Sequence, residues 1–122
     1  MSSLAWGPLR KLHIIVGWLL IAFGTAHISF TRSVDPNIGI NAVWFASGGL
    51  LMITIGALNL LRVAYTSVAK GIYAVSVTAN VVLVLLMLFI ATRLPMRSNP
   101  QVLVGLILAA LLTALSVLRR GS

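Results

Sequence analysis

Four long apolar runs, separated by short polar breaks, organise the 122-residue chain. They cover residues 12–30, 40–61, 71–91 and 101–118, and the first reads LHIIVGWLLIAFGTAHISF. Each is close to the ~20 residues that an α-helix needs to cross a hydrocarbon core ~30 Å thick. The breaks TRSVDPN, RVAYTSVAKG and TRLPMRSNP hold charges and turn formers, and Pro36, Pro95 and Pro100 fall in them. Lipid cannot satisfy open strand edges, and strand-like alternation at barrel length is absent, so the runs predict helices. The expectation is one domain, an all-α integral membrane protein built as an antiparallel four-transmembrane-helix bundle.

Arg10 and Lys11 precede the first run as they would in a signal peptide. The run is longer than a signal core, which predicts a retained helix. Ahead of it, Leu4, Trp6, Leu9 and Leu12 among basic residues read as an interfacial lead-in.

Composition sharpens this picture. Hydrophobic residues make up 60% of the chain and charged ones 8%, too few to clothe a soluble globule. Nine Lys and Arg oppose one acid, Asp35, for a net charge of +8. These cations sit at the edges of apolar runs, the distribution that a bilayer imposes, and this argues against nucleic acid as a partner. With four spans, Arg10, Lys11, Arg62, Lys70, Arg119 and Arg120 share one side, and Arg32, Arg93 and Arg97 the other. The excess of cations on the first side predicts both termini in the cytoplasm, with the chain in the inner membrane.

The expected spans contain no Asp, Glu, Lys or Arg. Proton-coupled export through a membrane carboxylate, acidic proton relays and two-carboxylate hydrolysis are therefore ruled out, as is a Gly-rich phosphate loop ending in Lys. The chain has no Cys, which removes disulfides and thiolate metal sites. General acid–base work would fall to His27 with Asp35 alone, so the chain is not expected to be an enzyme.

Small residues recur at helical spacing. Gly17 and Gly24 repeat on the first run, Gly49 and Gly56 on the second, and Gly105, Ala109 and Thr113 form a row on the fourth. Such rows let helices approach closely in lipid, either within the bundle or between two copies.

His13 and His27 lie about four helical turns apart, so they share a face and stand ~21 Å apart along the axis. With Gly17, Leu20 and Gly24 they form one stripe with a groove between them. This stripe resembles the histidine-bearing helices of di-haem b-type cytochromes, over the stretch from His13 to His27. The resemblance implies axial haem ligation. It departs from that family in that no other helix here carries a histidine, so haem would require a parallel homodimer pairing each histidine with its twin. The plainer reading is that both rings are interfacial, and no cofactor is expected.

By depth, His27 has Arg32, Asp35, Asn37, Asn41 and Trp44 as neighbours, and a ligand site opening outward would use them. Asp35 also suits the SVDPN turn or a pair with Arg32. Asn80, near the middle of the third run beside Ser76, and Asn59, at a depth comparable with His13, predict interhelical hydrogen bonds or the lining of a polar cavity. Trp18 lies within a span where Trp is unusual, and is expected to face the core, a partner helix or a cavity. The leading functional expectation is a non-catalytic binding, accessory or assembly component that self-associates, with a dimer favoured. The alternatives are the haem-binding electron-transfer homodimer and an oligomeric transporter or channel for a neutral or apolar solute.

Overall fold

The computed structural model of the chain describes residues 3–65, 70–95 and 97–118, with side chains from Gly7 onward. It is all-helical. Four long helices, α1 (Ser3–Ser29), α3 (Ile40–Tyr65), α4 (Lys70–Arg93) and α5 (Pro100–Leu118), are joined by short connections, one of which contains a single helical turn, α2 (Thr31–Val34). The four long helices are each long and apolar enough to cross a membrane, by length and composition.

The elements begin and end where backbone chemistry requires. Pro100 opens α5 at a first-turn position, where its missing N–H costs nothing. Asp35 ends α2 and closes the following turn, its carboxylate accepting from the backbone N–H of Asn37 at 3.2 Å and of Gly39 at 2.9 Å. That carboxylate is spent on the turn, in keeping with the turn-forming role expected of it. Ile38, at φ 53°, takes the left-handed conformation that the reversal needs. The turn α2 itself was not legible in the sequence.

Two boundaries differ from the sequence expectation, with consequences. Helix α1 starts at Ser3, not near Leu12, so Arg10 and Lys11 ride on its exposed surface. Helix α3 runs past Leu61 to Tyr65 and carries Arg62 with it, fully buried. The expected spans held no Asp, Glu, Lys or Arg; with α3 continued past Leu61, Arg62 joins its helix as a buried cation. The expected interfacial roles of Leu4 and Trp6, and the cations Arg119 and Arg120, lie outside the described side chains.

The glycines account for how α1 and α3 meet. A Cβ placed on Gly24 would lie 2.6 Å from the Gly49 carbonyl oxygen, and one on Gly49 would lie 2.7 Å from that of Gly24. A Cβ on Gly56 would likewise lie 2.8 Å from the Gly17 carbonyl oxygen. Two backbones thus touch along a seam that admits no side chain. These rows, together with Gly105 against Met87 and Phe23 and the fully buried Ala109, are consumed inside one chain. They supply no surface for a second copy.

Polar and apolar side chains share the interior, while the exterior is largely apolar. The largest fully buried side chains include Arg62, His13, Asn59, Asn80, Ser76 and Ser116 beside Leu20, Leu83 and Leu112. Trp18, Phe30, Trp44, Leu85 and Phe89 face outward. An exterior this apolar is stable only where the surroundings are apolar too.

Candidate functional site

Two regions of the bundle interior depart from plain apolar packing, one at each end. The first lies at the end holding the start of α1 and the end of α5. There Asn59 of α3 and Asn80 of α4 face each other as paired amides. Asn59 Nδ2 donates to Asn80 Oδ1 at 2.7 Å, and Asn80 Nδ2 donates back to Asn59 Oδ1 at 2.9 Å. From α1, His13 Nε2 lies 3.0 Å from Asn59 Oδ1. An amide oxygen can only accept, so this ring nitrogen carries the proton. From α5, the Ser116 hydroxyl accepts from Asn80 Nδ2 at 3.0 Å. Ser76 and Ser116 hydroxyls also approach Asn59 Oδ1, at 3.4 and 3.3 Å. Two lone pairs cannot serve four donors equally, so the bonds from His13 and Asn80 dominate.

Arg62 closes the region. Its Nη2 donates to the Ser116 carbonyl at 2.6 Å, and its guanidinium stands 5.0 Å from the centre of the Tyr73 ring. The carbonyl belongs to the last turn of α5, where the helix dipole is negative, so a cation is favoured there. All six side chains, His13, Asn59, Arg62, Ser76, Asn80 and Ser116, are 0% exposed. The result is a polar hub that draws one hydrogen-bonding side chain from each of α1 and α5 and two from each of α3 and α4. Its chemistry is that of a staple. The amides and hydroxyls satisfy one another.

The second region is a cleft at the opposite end, near α2. It has two lobes that share Phe23, His27, Phe45 and Gln101. One lobe, of about 200 Å³, runs between α3 and α4 past Trp44, Leu51, Met52, Leu83, Leu86 and Met87. The other, of about 360 Å³, runs beneath α2 past Phe30, Ser33 and Val34. The His27 ring lies flat on Phe45, with centroids 3.7 Å apart. Gly48 leaves room beside it, since a Cβ there would stand 3.5 Å from His27 Nε2. Gln101, at the start of α5, donates to Asn99 Oδ1 at 3.2 Å. Apolar walls with a few polar groups are the usual make-up of a small-molecule site.

The structure sorts the sequence candidates between these regions. His27 and Trp44 line the cleft. Asn80 and His13 belong to the hub, at the far end from His27. Arg32 and Asn41 are exposed and line neither region. Trp18, 59% exposed, faces out of the bundle, which corrects its expected place in a core or cavity. The stripe from His13 to His27 is covered by α3 of the same chain: Asn59 holds His13, the backbone of Gly56 and Gly49 fills the glycine groove, and Phe45 covers His27. A porphyrin on that face would have to displace α3, so the residues present do not fit the haem reading. Among the described residues, no three His, Asp or Glu gather as metal ligands.

The sequence reading missed Phe23, Phe45, Met87 and Gln101 in the cleft and Ser116 in the hub. Gln101 and Ser116 are polar residues inside apolar helices, a signal that could have singled them out. For the apolar residues there is no such signal.

Fold and interior together define an all-helical protein with four helices able to cross a membrane, a polar hub at one end and an apolar cleft at the other. Comparison with family models, curated proteins and solved structures found no match.

Proposed function

We propose that the chain is a non-catalytic binding protein of the membrane, which holds a small, largely apolar molecule in the cleft beside His27. In this reading the four long helices form an antiparallel transmembrane bundle. Support comes from the contacts along the α1–α3 seam, where Gly17 meets Gly56 and Gly24 meets Gly49, so that residue numbers rise on one helix as they fall on the other. Both termini lie on the cytoplasmic side, which the larger share of Lys and Arg at that end supports.

The observation that carries the reading is the cleft itself. Six buried polar side chains fill the interior toward the other end, and the cleft is walled by aromatic and aliphatic groups around His27 and Gln101. The test is native mass spectrometry of protein extracted gently from lipid-replete membranes. Wild-type protein should retain a small-molecule adduct. Gly48→Leu, which fills the cleft from a position where a Cβ meets only the His27 ring, should lose it while keeping the wild-type unfolding midpoint. Absence of an adduct on the wild type, or equal retention by Gly48→Leu, would contradict the proposal.

A further inference from the structure

The cleft has a depth and a rim, and each bears on the molecule it holds. Along α4 its lining runs from Leu94, just past the end of the helix, to Leu83, near the helix midpoint. Along α3 it runs likewise from Trp44, near the start, to Met52, near the midpoint. The stretch from Leu83 to Leu94 rises about 16 Å, against about 15 Å for half of a hydrocarbon core. In the transmembrane bundle proposed above, the cleft therefore has the depth of one leaflet. Trp44, Leu86 and Leu94 line it and are exposed, so its side gives onto the lipid-facing surface.

The rim is cationic. Arg93 follows Leu86 and Ile90 at helical spacing, on the face of α4 that lines the cleft. Its guanidinium stands 5.2 Å from the centre of the exposed Phe89 ring, which keeps the charge along the outer side of α4, beside the open side of the cleft. Arg32 on α2 and Arg97 between α4 and α5 are exposed at the same end. The chain has one acidic side chain, Asp35, and its two carboxylate oxygens accept from the backbone N–H groups of Asn37 and Gly39. The arginines of this end thus have no acidic side chain given over to them. The complement of such a rim is an anion, and guanidinium pairs with phosphate through two parallel hydrogen bonds.

Building on the binding role above, we infer that the cleft holds an acyl chain of an anionic phospholipid. The phosphate head stands outside the cleft, at the rim beside Arg93, and the chain runs inward along α3 and α4 toward Met52 and Leu83. Depth sets this direction, since a head at the level of Leu83 would bring its charge to the middle of the bilayer. A zwitterionic head carries a cation for which this end offers no free carboxylate.

The experiment is native mass spectrometry of the full-length protein released from nanodiscs of phosphatidylglycerol and phosphatidylcholine in equal parts, with identical chains. Phosphatidylglycerol should be retained about tenfold over phosphatidylcholine, and Arg93→Gln should cut that preference to about twofold. Lys70→Gln, an exposed cation at the hub end, should keep the wild-type preference. Gly48→Leu should abolish retention of both lipids. A diazirine at the chain end of phosphatidylglycerol should label α4 around Leu83 and Met87, and one beside the glycerol should label residues 90–94. Equal retention of the two lipids, both lost in Gly48→Leu, would overturn the anionic head and leave the binding role standing. A preference that survives Arg93→Gln, or that Lys70→Gln lowers as much, would overturn the placement of the head, as would the reverse pattern of labelling. Retention that Gly48→Leu leaves unchanged would overturn this inference and the binding role together.

Discussion

Helix α4 shows the contrast between the two ends of the bundle most plainly. Ser76, Asn80, Leu83 and Met87 follow one another along its buried face. The first two enter the hub and the last two line the cleft. At the hub end the buried polar side chains have directional partners on other helices, which fixes their positions. At the cleft end, packing is the only attraction, and lipid tails pack against Leu as well as protein does. Space therefore persists where no hydrogen bond defines the geometry. The difference teaches that in an apolar surrounding it is the polar core that closes a bundle, and the apolar core that can be left open to a ligand.

Substitutions can break this contrast in graded steps. The largest effect is expected at the seam that supports both ends. Gly49→Val would press its side chain into the Gly24 carbonyl and the Ile28 side chain, where a Cβ alone already comes within 2.7 Å. Overpacking of this kind costs about 3 kcal/mol or more, and reversible unfolding in mixed micelles should show little folded protein. Next comes the hub node. Asn59→Leu removes the partner of His13 Nε2 and of Asn80 Oδ1 at once, which should lower stability by about 2 kcal/mol in the same assay. A double-mutant cycle of Asn59→Ala with Asn80→Ala should return a coupling of about 1 kcal/mol, whereas a cycle pairing Asn59→Ala with Gln101→Ala should return a value near zero. Last, Trp18→Leu on the outward face should change stability by less than about 0.5 kcal/mol. A loss as large as that of Asn59→Leu would show that Trp18 is not lipid-facing in the membrane.

The sequence made the helices legible, and with them much of the hub. Apolar runs of membrane length admit only helices, and the glycine pairs at positions 17 and 24, and 49 and 56, marked faces able to meet closely. Asn59 and Asn80 stood out because an amide within an apolar run needs a partner, and His13 was placed at the depth of Asn59. Arg62 did not stand out, because an arginine next to a polar break reads as the edge of a span until the helix is seen to continue to Tyr65. The cleft was the least legible part. His27 and Trp44 were visible as polar or interfacial residues. Phe23, Phe45 and Met87 were not, because a helix in lipid is apolar on its outer and inner faces alike, and periodicity then fails to separate them. Arg32 and Asn41 joined the cleft residues by depth alone, and depth says nothing about which way a side chain points.

The central claim is that the interior is closed at the hub and open at the cleft. Xenon under pressure reports on this most directly, since it enters dry apolar space and leaves filled polar contacts alone. In xenon-pressurised crystals of the wild-type protein, density is expected among Phe23, Phe45, Met52 and Met87, and none among His13, Asn59, Asn80 and Ser116. Xenon between the paired amides, or a cleft filled by its own side chains and taking up none, would contradict the account.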